Sequence, residues 1–301
     1  MNVLLPVLVP LLGATLVPVV ARRGSAGALR VAALALALAA APVLAELAGG
    51  AGASGRLAWV PALGLELSLR ADRLGELAAA LVLVLGLGAL WQGSRASARP
   101  NAGAIARLLL VTASVELAVL ADNLPLLAAA CALATLIARL NDEVLTEGAW
   151  SGAALRFVVS MTGALALLAA TLLIADATGS SSLQVALAAA PALRTQPLAP
   201  LIGWLLAAAA WLQPATWPCG EWLRARSSPA TESPTGPLAF VLGAYLAIRL
   251  LPLLVAGVAN AAVVAGFLVV PLVAAGLARA LQLAPEPAGG APPPAAPESR
   301  G

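Results

Sequence analysis

The sequence predicts an all-α, polytopic bundle of about nine transmembrane helices. Three observations carry this. Of the 301 residues, 61% are hydrophobic and only 10% charged, against roughly 25% charged in a soluble domain. Mean hydropathy is +0.96. Nine apolar stretches approach the ~20 residues that a helix needs to cross the hydrocarbon core. They cover residues 3–20, 31–48, 74–91, 105–121, 124–140, 154–175, 198–213, 238–254 and 258–281. Helix is the expected form of each, because lipid offers backbone groups no hydrogen bonds.

The first stretch has no charged residues before its apolar run, so it reads as a span and not a cleaved signal peptide. The fourth and fifth are parted only by Asp122 and Asn123, which predicts a tight helical hairpin. The seventh runs into Gln213-Pro214-Ala215-Thr216-Trp217-Pro218. Each proline removes a backbone donor, so Pro214 and Pro218 predict a helix break. Residues 1–282 form the predicted membrane domain. Residues 283–301, rich in Pro and Ala, are expected to be a disordered cytoplasmic tail.

All 17 cations are Arg. Twelve fall after odd-numbered spans or at the C-terminus: 22, 23, 30, 95, 99, 107, 139, 156, 224, 226, 279 and 300. Five fall opposite: Arg56, Arg70, Arg73, Arg194 and Arg249. The positive-inside rule then places the C-terminus in the cytoplasm of a multi-pass cell-membrane protein, inner or plasma. Trp59, Trp91, Trp150, Trp217 and Trp222 suit an interfacial aromatic belt. Arg107, Arg139 and Arg156 suit snorkelling to headgroups.

Several chemistries are excluded or disfavoured. There is no His, and Cys131 and Cys219 stand far apart, so no metal or cofactor site is expected. No basic stripe for nucleic acid is present. No phosphate loop or nucleophile–base pair is present, so independent catalysis is not expected.

Four landmarks occur in order. They are Trp59-Val60-Pro61-Ala62-Leu63-Gly64 leading to Arg70-Ala71-Asp72; Asp122-Asn123-Leu124; the Gln213–Pro218 stretch; and Glu232-Ser233-Pro234-Thr235-Gly236-Pro237. Together they resemble the proton-conducting antiporter-like membrane subunits. That family includes NADH-quinone oxidoreductase subunit L of complex I, its counterpart in multisubunit sodium/proton antiporters, and the membrane partner of the DAB inorganic-carbon transporter. The resemblance covers most of residues 1–282. It implies two inverted five-helix repeats with a broken seventh helix, of which this sequence would supply the first half.

The resemblance also implies a relay, and the sequence departs from it. The family's fifth-span Glu falls on Ala132, beside Cys131. Its seventh-span Lys falls on Gln213, and the His after the break falls near Gly220. The eighth span lacks its His and Lys. Intramembrane charges commonly cost a few kcal/mol each, so a pair released from functional demand drifts to neutral residues together.

The remaining polar residues each carry two readings. Glu116 lies about 9 Å into the fourth span from Asp122, at ~1.5 Å per residue. It is either a substitute proton site, with Asp122 as a second candidate, or a protonated or Arg-paired Glu facing a partner subunit. Thr112 and Thr135 either bond its carboxyl or bond their own helix carbonyls. Gln213 marks either a relic water-lined break or a packed kink. Glu221 is expected at the interface, in solvent. Asp72, Arg73 and Glu76 read as an interfacial anchor, with an Arg73–Glu76 pair one turn apart.

The expected role is an accessory membrane subunit of a proton-, cation- or inorganic-carbon-translocating complex. Its partners would be other membrane subunits and the lipid bilayer. The rivals are an active proton conductor using Glu116 with a partner subunit, and an inert membrane scaffold.

Overall fold

The computed structural model describes residues 3–49, 52–60, 65–96, 101–141, 152–213 and 236–257. Helices α1 (Leu5–Ala21) and α2 (Ser25–Gly49) are joined by a tight turn. Gly24 in that turn has a φ of 147°, a conformation that favours glycine. Strands β1 (Ser54–Val60) and β2 (Leu65–Arg70) follow. Then come α3 (Arg73–Ala96), α4 (Ala102–Leu120), α5 (Leu124–Asn141) and α6 (Gly152–Thr178). Two short helices, α7 (Leu183–Ala188) and α8 (Ala190–Leu193), lead to α9 (Ala199–Leu212). The last described elements are α10 (Gly236–Arg249) and α11 (Leu251–Gly257).

Helix α4 is the axis of the bundle. It packs against α1, α2, α3, α5 and α10, while α6 and α9 pack together on the far side of α5. Nearly all of α4 is therefore enclosed, including Leu109, Thr112, Glu116 and Ala118. The outer helices turn large apolar side chains outward. Leu12, Leu34, Leu77, Val84, Leu165 and Leu172 are all well exposed. An apolar exterior on this scale belongs in lipid.

Small residues set the close helix contacts. A Cβ on Gly163 of α6 would lie 2.7 Å from the backbone nitrogen of Gln213. A Cβ on Gly257 of α11 would lie 2.4 Å from the Ala199 carbonyl oxygen. Both glycines allow helices to approach closer than any side chain permits.

The expectation of a purely helical chain is corrected by the β1–β2 hairpin. Its strands pair antiparallel, with Ser54 opposite Arg70 and Arg56 opposite Ser68. The hairpin caps one end of the bundle and continues into the α4–α5 junction. The Asp122 N–H donates to the Ser68 carbonyl at 2.9 Å, and the Leu183 N–H donates to the Asp122 carbonyl at 3.0 Å. The Leu124 N–H donates to the Ser181 carbonyl at 2.9 Å. This ladder satisfies backbone groups that the break between the two helices would leave unpaired.

The predicted hairpin of the fourth and fifth spans is present, with α4 ending at Leu120 and α5 starting at Leu124. The count of nine spans is not reproduced. Among the described residues four helices are long and apolar enough to cross a membrane: Ser25–Gly49, Arg73–Arg95, Ala102–Leu120 and Phe157–Thr178. Three more apolar helices are shorter: Leu5–Ala21, Leu124–Ala138 and Ala199–Leu212.

The eighth stretch is not one straight helix. Helices α10 and α11 meet at an angle of 59°. Pro252 explains the bend, since it cannot donate to the Ile248 carbonyl one turn back. The ninth stretch and the tail lie outside the described residues, as do Pro214, Pro218, Gly220 and Glu221. So does the predicted break of the seventh helix.

Candidate functional site

Buried polar groups gather along α4 and on the helices that enclose it. Glu116 is 0% exposed. Both of its carboxylate oxygens are buried without a hydrogen-bond partner. It thus lies inside the bundle, which overturns the reading in which it faces a partner subunit. Thr112, one turn earlier, donates to the Leu108 carbonyl at 2.9 Å, and Thr135 donates to the Cys131 carbonyl at 3.0 Å. Both hydroxyls bond their own helices rather than Glu116, as Thr does in apolar surroundings. An ionised carboxylate so placed, with no donor and no cation, is costly by several kcal/mol.

Gln213 follows the last residue of α9 and is buried. Its Nε2 donates to the Cys131 carbonyl at 3.0 Å and to Thr135 Oγ1 at 2.6 Å. The end of α9 is thus fastened to the middle of α5 by a neutral amide. Ala132 sits beside Cys131 and is only half-buried, so Gln213 meets Cys131 and Thr135 rather than Ala132. The Gln213 Oε1 is buried without a partner. The kink at Pro214 lies outside the described residues; these contacts show Gln213 packed against α5.

Asp122 is buried at the α4–α5 junction, with Oδ1 unpartnered. Burial pushes its carboxyl above the ordinary Asp range, and the charge of Arg70, a Gln184 hydrogen bond and the charges of Arg249 and Arg56 pull the other way. Desolvation is the larger effect. Asn123 caps α5, accepting the Leu126 N–H through Oδ1 at 3.4 Å, and donates through Nδ2 to Ser181 Oγ at 3.2 Å.

A second polar contact joins the start of α3 to the bend after α10. Asp72 Oδ1 accepts the Gly75 N–H at 2.8 Å and so caps α3. Its Oδ2 is ion-paired with the Arg249 guanidinium. One turn before Arg249, the Tyr245 hydroxyl donates to the Val119 carbonyl at 2.8 Å. Tyr245 and Arg249 together pin α10 to α4 and α3.

Sequence reasoning missed this pair, because Asp72 and Arg249 are 177 positions apart and no local pattern joins them. Glu76, in the first turn of α3, is buried with Oε2 unpartnered, while Arg73 is exposed. Among the described residues no three His, Cys, Asp or Glu side chains gather as a metal site would require.

No family profile and no curated protein matches the chain by sequence. Solved structures do match. A chain of the Mrp complex from Dietzia sp. DQ12-45-1b superimposes with a TM-score of 0.73 at 25% identity, over 84% of this chain and 28% of that one. A chain of the membrane-bound sulfane sulfur reductase, an archaeal respiratory membrane complex, gives 0.65 at 21% identity, over 83% and 40%. A chain of Thermus thermophilus respiratory complex I gives 0.65 at 17% identity, over 94% and 56%. The chain thus spans between about a quarter and just over half of the length of these relatives. It shares the antiporter-like fold of these membrane-complex subunits, the fold that its four sequence landmarks resemble.

Proposed function

We propose that this chain is an accessory membrane subunit of a complex that translocates protons, cations or inorganic carbon, and that it lacks the family's charged relay. The observation that carries this reading is the contact of Gln213 with Cys131 and Thr135. Where the resemblance implies a Lys–Glu ion pair between the seventh and fifth spans, two neutral side chains and a backbone carbonyl meet. A neutral amide bonded to its own scaffold holds helices together but carries no exchangeable charge. The fold supports membrane-complex partners in general, since the similar solved chains are parts of such complexes. The Arg distribution supports a hairpin end outside and a cytoplasmic C-terminus.

Purification of the tagged chain from native membranes in mild detergent tests this reading. A stable antiporter-like or carbon-uptake partner supports it. A chain that comes away alone under conditions that preserve other membrane complexes contradicts it, and favours an inert scaffold.

A second reading draws on Glu116. A fully enclosed, unpaired carboxylate in the central helix is a candidate for ion movement by its position alone. In that reading the chain conducts protons through Glu116, together with a partner subunit. It requires Glu116→Gln to abolish transport while leaving assembly intact.

A further inference from the structure

Helices α1, α2 and α3 touch at one level. A Cβ on Gly13 of α1 would lie 2.7 Å from the Ala35 Cβ of α2, and one on Gly86 of α3 would lie 3.7 Å from the Leu36 Cδ1. Gly13, Leu36 and Gly86 each stand near the middle of their helix. Helix α2 runs antiparallel to both neighbours: a tight turn joins it to α1, and its late residues Pro42 and Val43 line one recess with Ala79 from early α3. Arg22, Arg30 and Arg95 therefore lie toward the same end. At ~1.5 Å per residue, Arg22 and Arg95 stand about 13–14 Å from the shared level and Arg30 about 9 Å. Half of a ~30 Å hydrocarbon core is about 15 Å, so Arg22, Arg23 and Arg95 reach the headgroup boundary and Arg30 reaches it along its stem.

This end is charged with one sign. Residues 21–31 and 91–101 hold five arginines and no Asp or Glu. Arg99 lies outside the described residues, and Arg22, Arg23, Arg30 and Arg95 are all exposed. The opposite ends of α2 and α3 mix signs, with Glu46, Asp72, Arg73 and Glu76. The Arg95 guanidinium carbon lies 4.8 Å from the centre of the Trp91 ring. Trp91 is 61% exposed, and an exposed Trp at a span end marks the headgroup level. Stacking uses the flat face of the guanidinium and leaves its edge N–H donors to meet phosphate oxygens. Nearer the middle of the bilayer, Leu34 and Leu38 of α2 and Val84 of α3 are exposed, an apolar flank below the arginines.

We propose that the α1–α2 turn and the end of α3 form a binding surface for anionic phospholipid. Its phosphate meets Arg22, Arg23, Arg30 and Arg95, and its acyl chains lie on the apolar flank. A free anion would engage the guanidinium groups alone, whereas a phospholipid matches the cationic rim and the flank together. A zwitterionic headgroup carries an ammonium that offsets its phosphate, so the surface selects the anionic lipid. The surface uses neither Glu116 nor the Gln213 contact and needs no partner subunit, so its test is independent of the accessory-subunit reading.

The test is native mass spectrometry of the purified full chain in detergent, titrated with phosphatidylglycerol or phosphatidylcholine. The first phosphatidylglycerol is expected to bind more tightly than the first phosphatidylcholine by about fivefold or more, the fold-change of one Arg at an anionic lipid. R22Q/R23Q/R30Q/R95Q should lose that preference, and R56Q/R194Q, which alters exposed arginines elsewhere, should keep it. R22Q/R23Q changes only the turn and keeps the test open if the fourfold variant fails to fold; it should weaken phosphatidylglycerol alone. Equal affinities of the native chain for the two lipids overturn the proposal. So does a native preference in R22Q/R23Q. Displacement of phosphatidylglycerol by glycerol phosphate at matched ionic strength also overturns it, by showing that a free anion suffices.

Discussion

The Gln213 amide nitrogen lies 2.6 Å from the Thr135 hydroxyl oxygen, across the interface between the end of α9 and the middle of α5. Both residues are buried. Hydrogen bonds between helices in lipid contribute about 0.6–2 kcal/mol. Gln213→Leu should therefore destabilise the bundle by about 1 kcal/mol, part of the loss being offset because the unpartnered Oε1 disappears too. Thr135→Val should cost a similar amount. The double variant should cost less than the sum, since each change removes the same bond. Thermal unfolding in detergent measures all three, and strict additivity would show that the contact is not energetically coupled.

Gly163 governs the same interface from the side of α6. An added Cβ would meet the Gln213 nitrogen at 2.7 Å and Leu212 at 3.0 Å, and backbone cannot move aside as a flexible side chain does. Gly163→Ala is expected to destabilise by about 1–3 kcal/mol. Gly88→Ala is the control, because nothing lies within 4 Å of a Cβ there. Equal melting temperatures for the two variants would contradict the packing described.

Asp72 does two things, capping α3 and pairing with Arg249. The pair is only partly shielded, with Asp72 28% and Arg249 9% exposed. Asp72→Asn keeps a capping oxygen and loses the charge, for an expected cost of about 2 kcal/mol. Asp72→Ala loses the cap as well, for about 1 kcal/mol more. The order of melting temperatures, native above Asn above Ala, checks the double role. A tie between Asn and Ala would remove the cap from the account.

Asp122 makes the folded chain sensitive to pH. Burial raises its carboxyl above the ordinary value of 3.8, so the folded chain holds the proton more tightly than the unfolded one. Its stabilising effect is therefore complete below about pH 3.8 and is lost as pH rises through the folded value. Asp122→Asn should flatten that part of the stability curve and gain relative to the native chain at neutral pH. Melting temperatures of both chains across this range provide the check, and parallel curves would contradict it.

The long apolar runs are legible in the sequence because a membrane helix satisfies its own backbone and needs no partner to be recognised. The α4–α5 junction is legible for the same reason, with Asp122 and Asn123 interrupting the run. The β hairpin is harder to see, although β2 carries the signal: Leu65, Leu67 and Leu69 alternate with Glu66, Ser68 and Arg70. That period of two merges into the lead of the next span. The bend at Leu250 is likewise written in Pro252 and obscured by continuous hydropathy. The Asp72–Arg249 pair and the meeting of Gln213 with Thr135 have no local signature. Each depends on how distant helices pack.

Transport by the native co-purified assembly, measured with and without Glu116→Gln in this chain, tests the central claim most directly. If the chain is an accessory subunit without a working relay, the variant assembles normally and moves its ion at the native rate. If Glu116→Gln abolishes transport in an intact assembly, the chain is itself a conductor and the accessory role is contradicted.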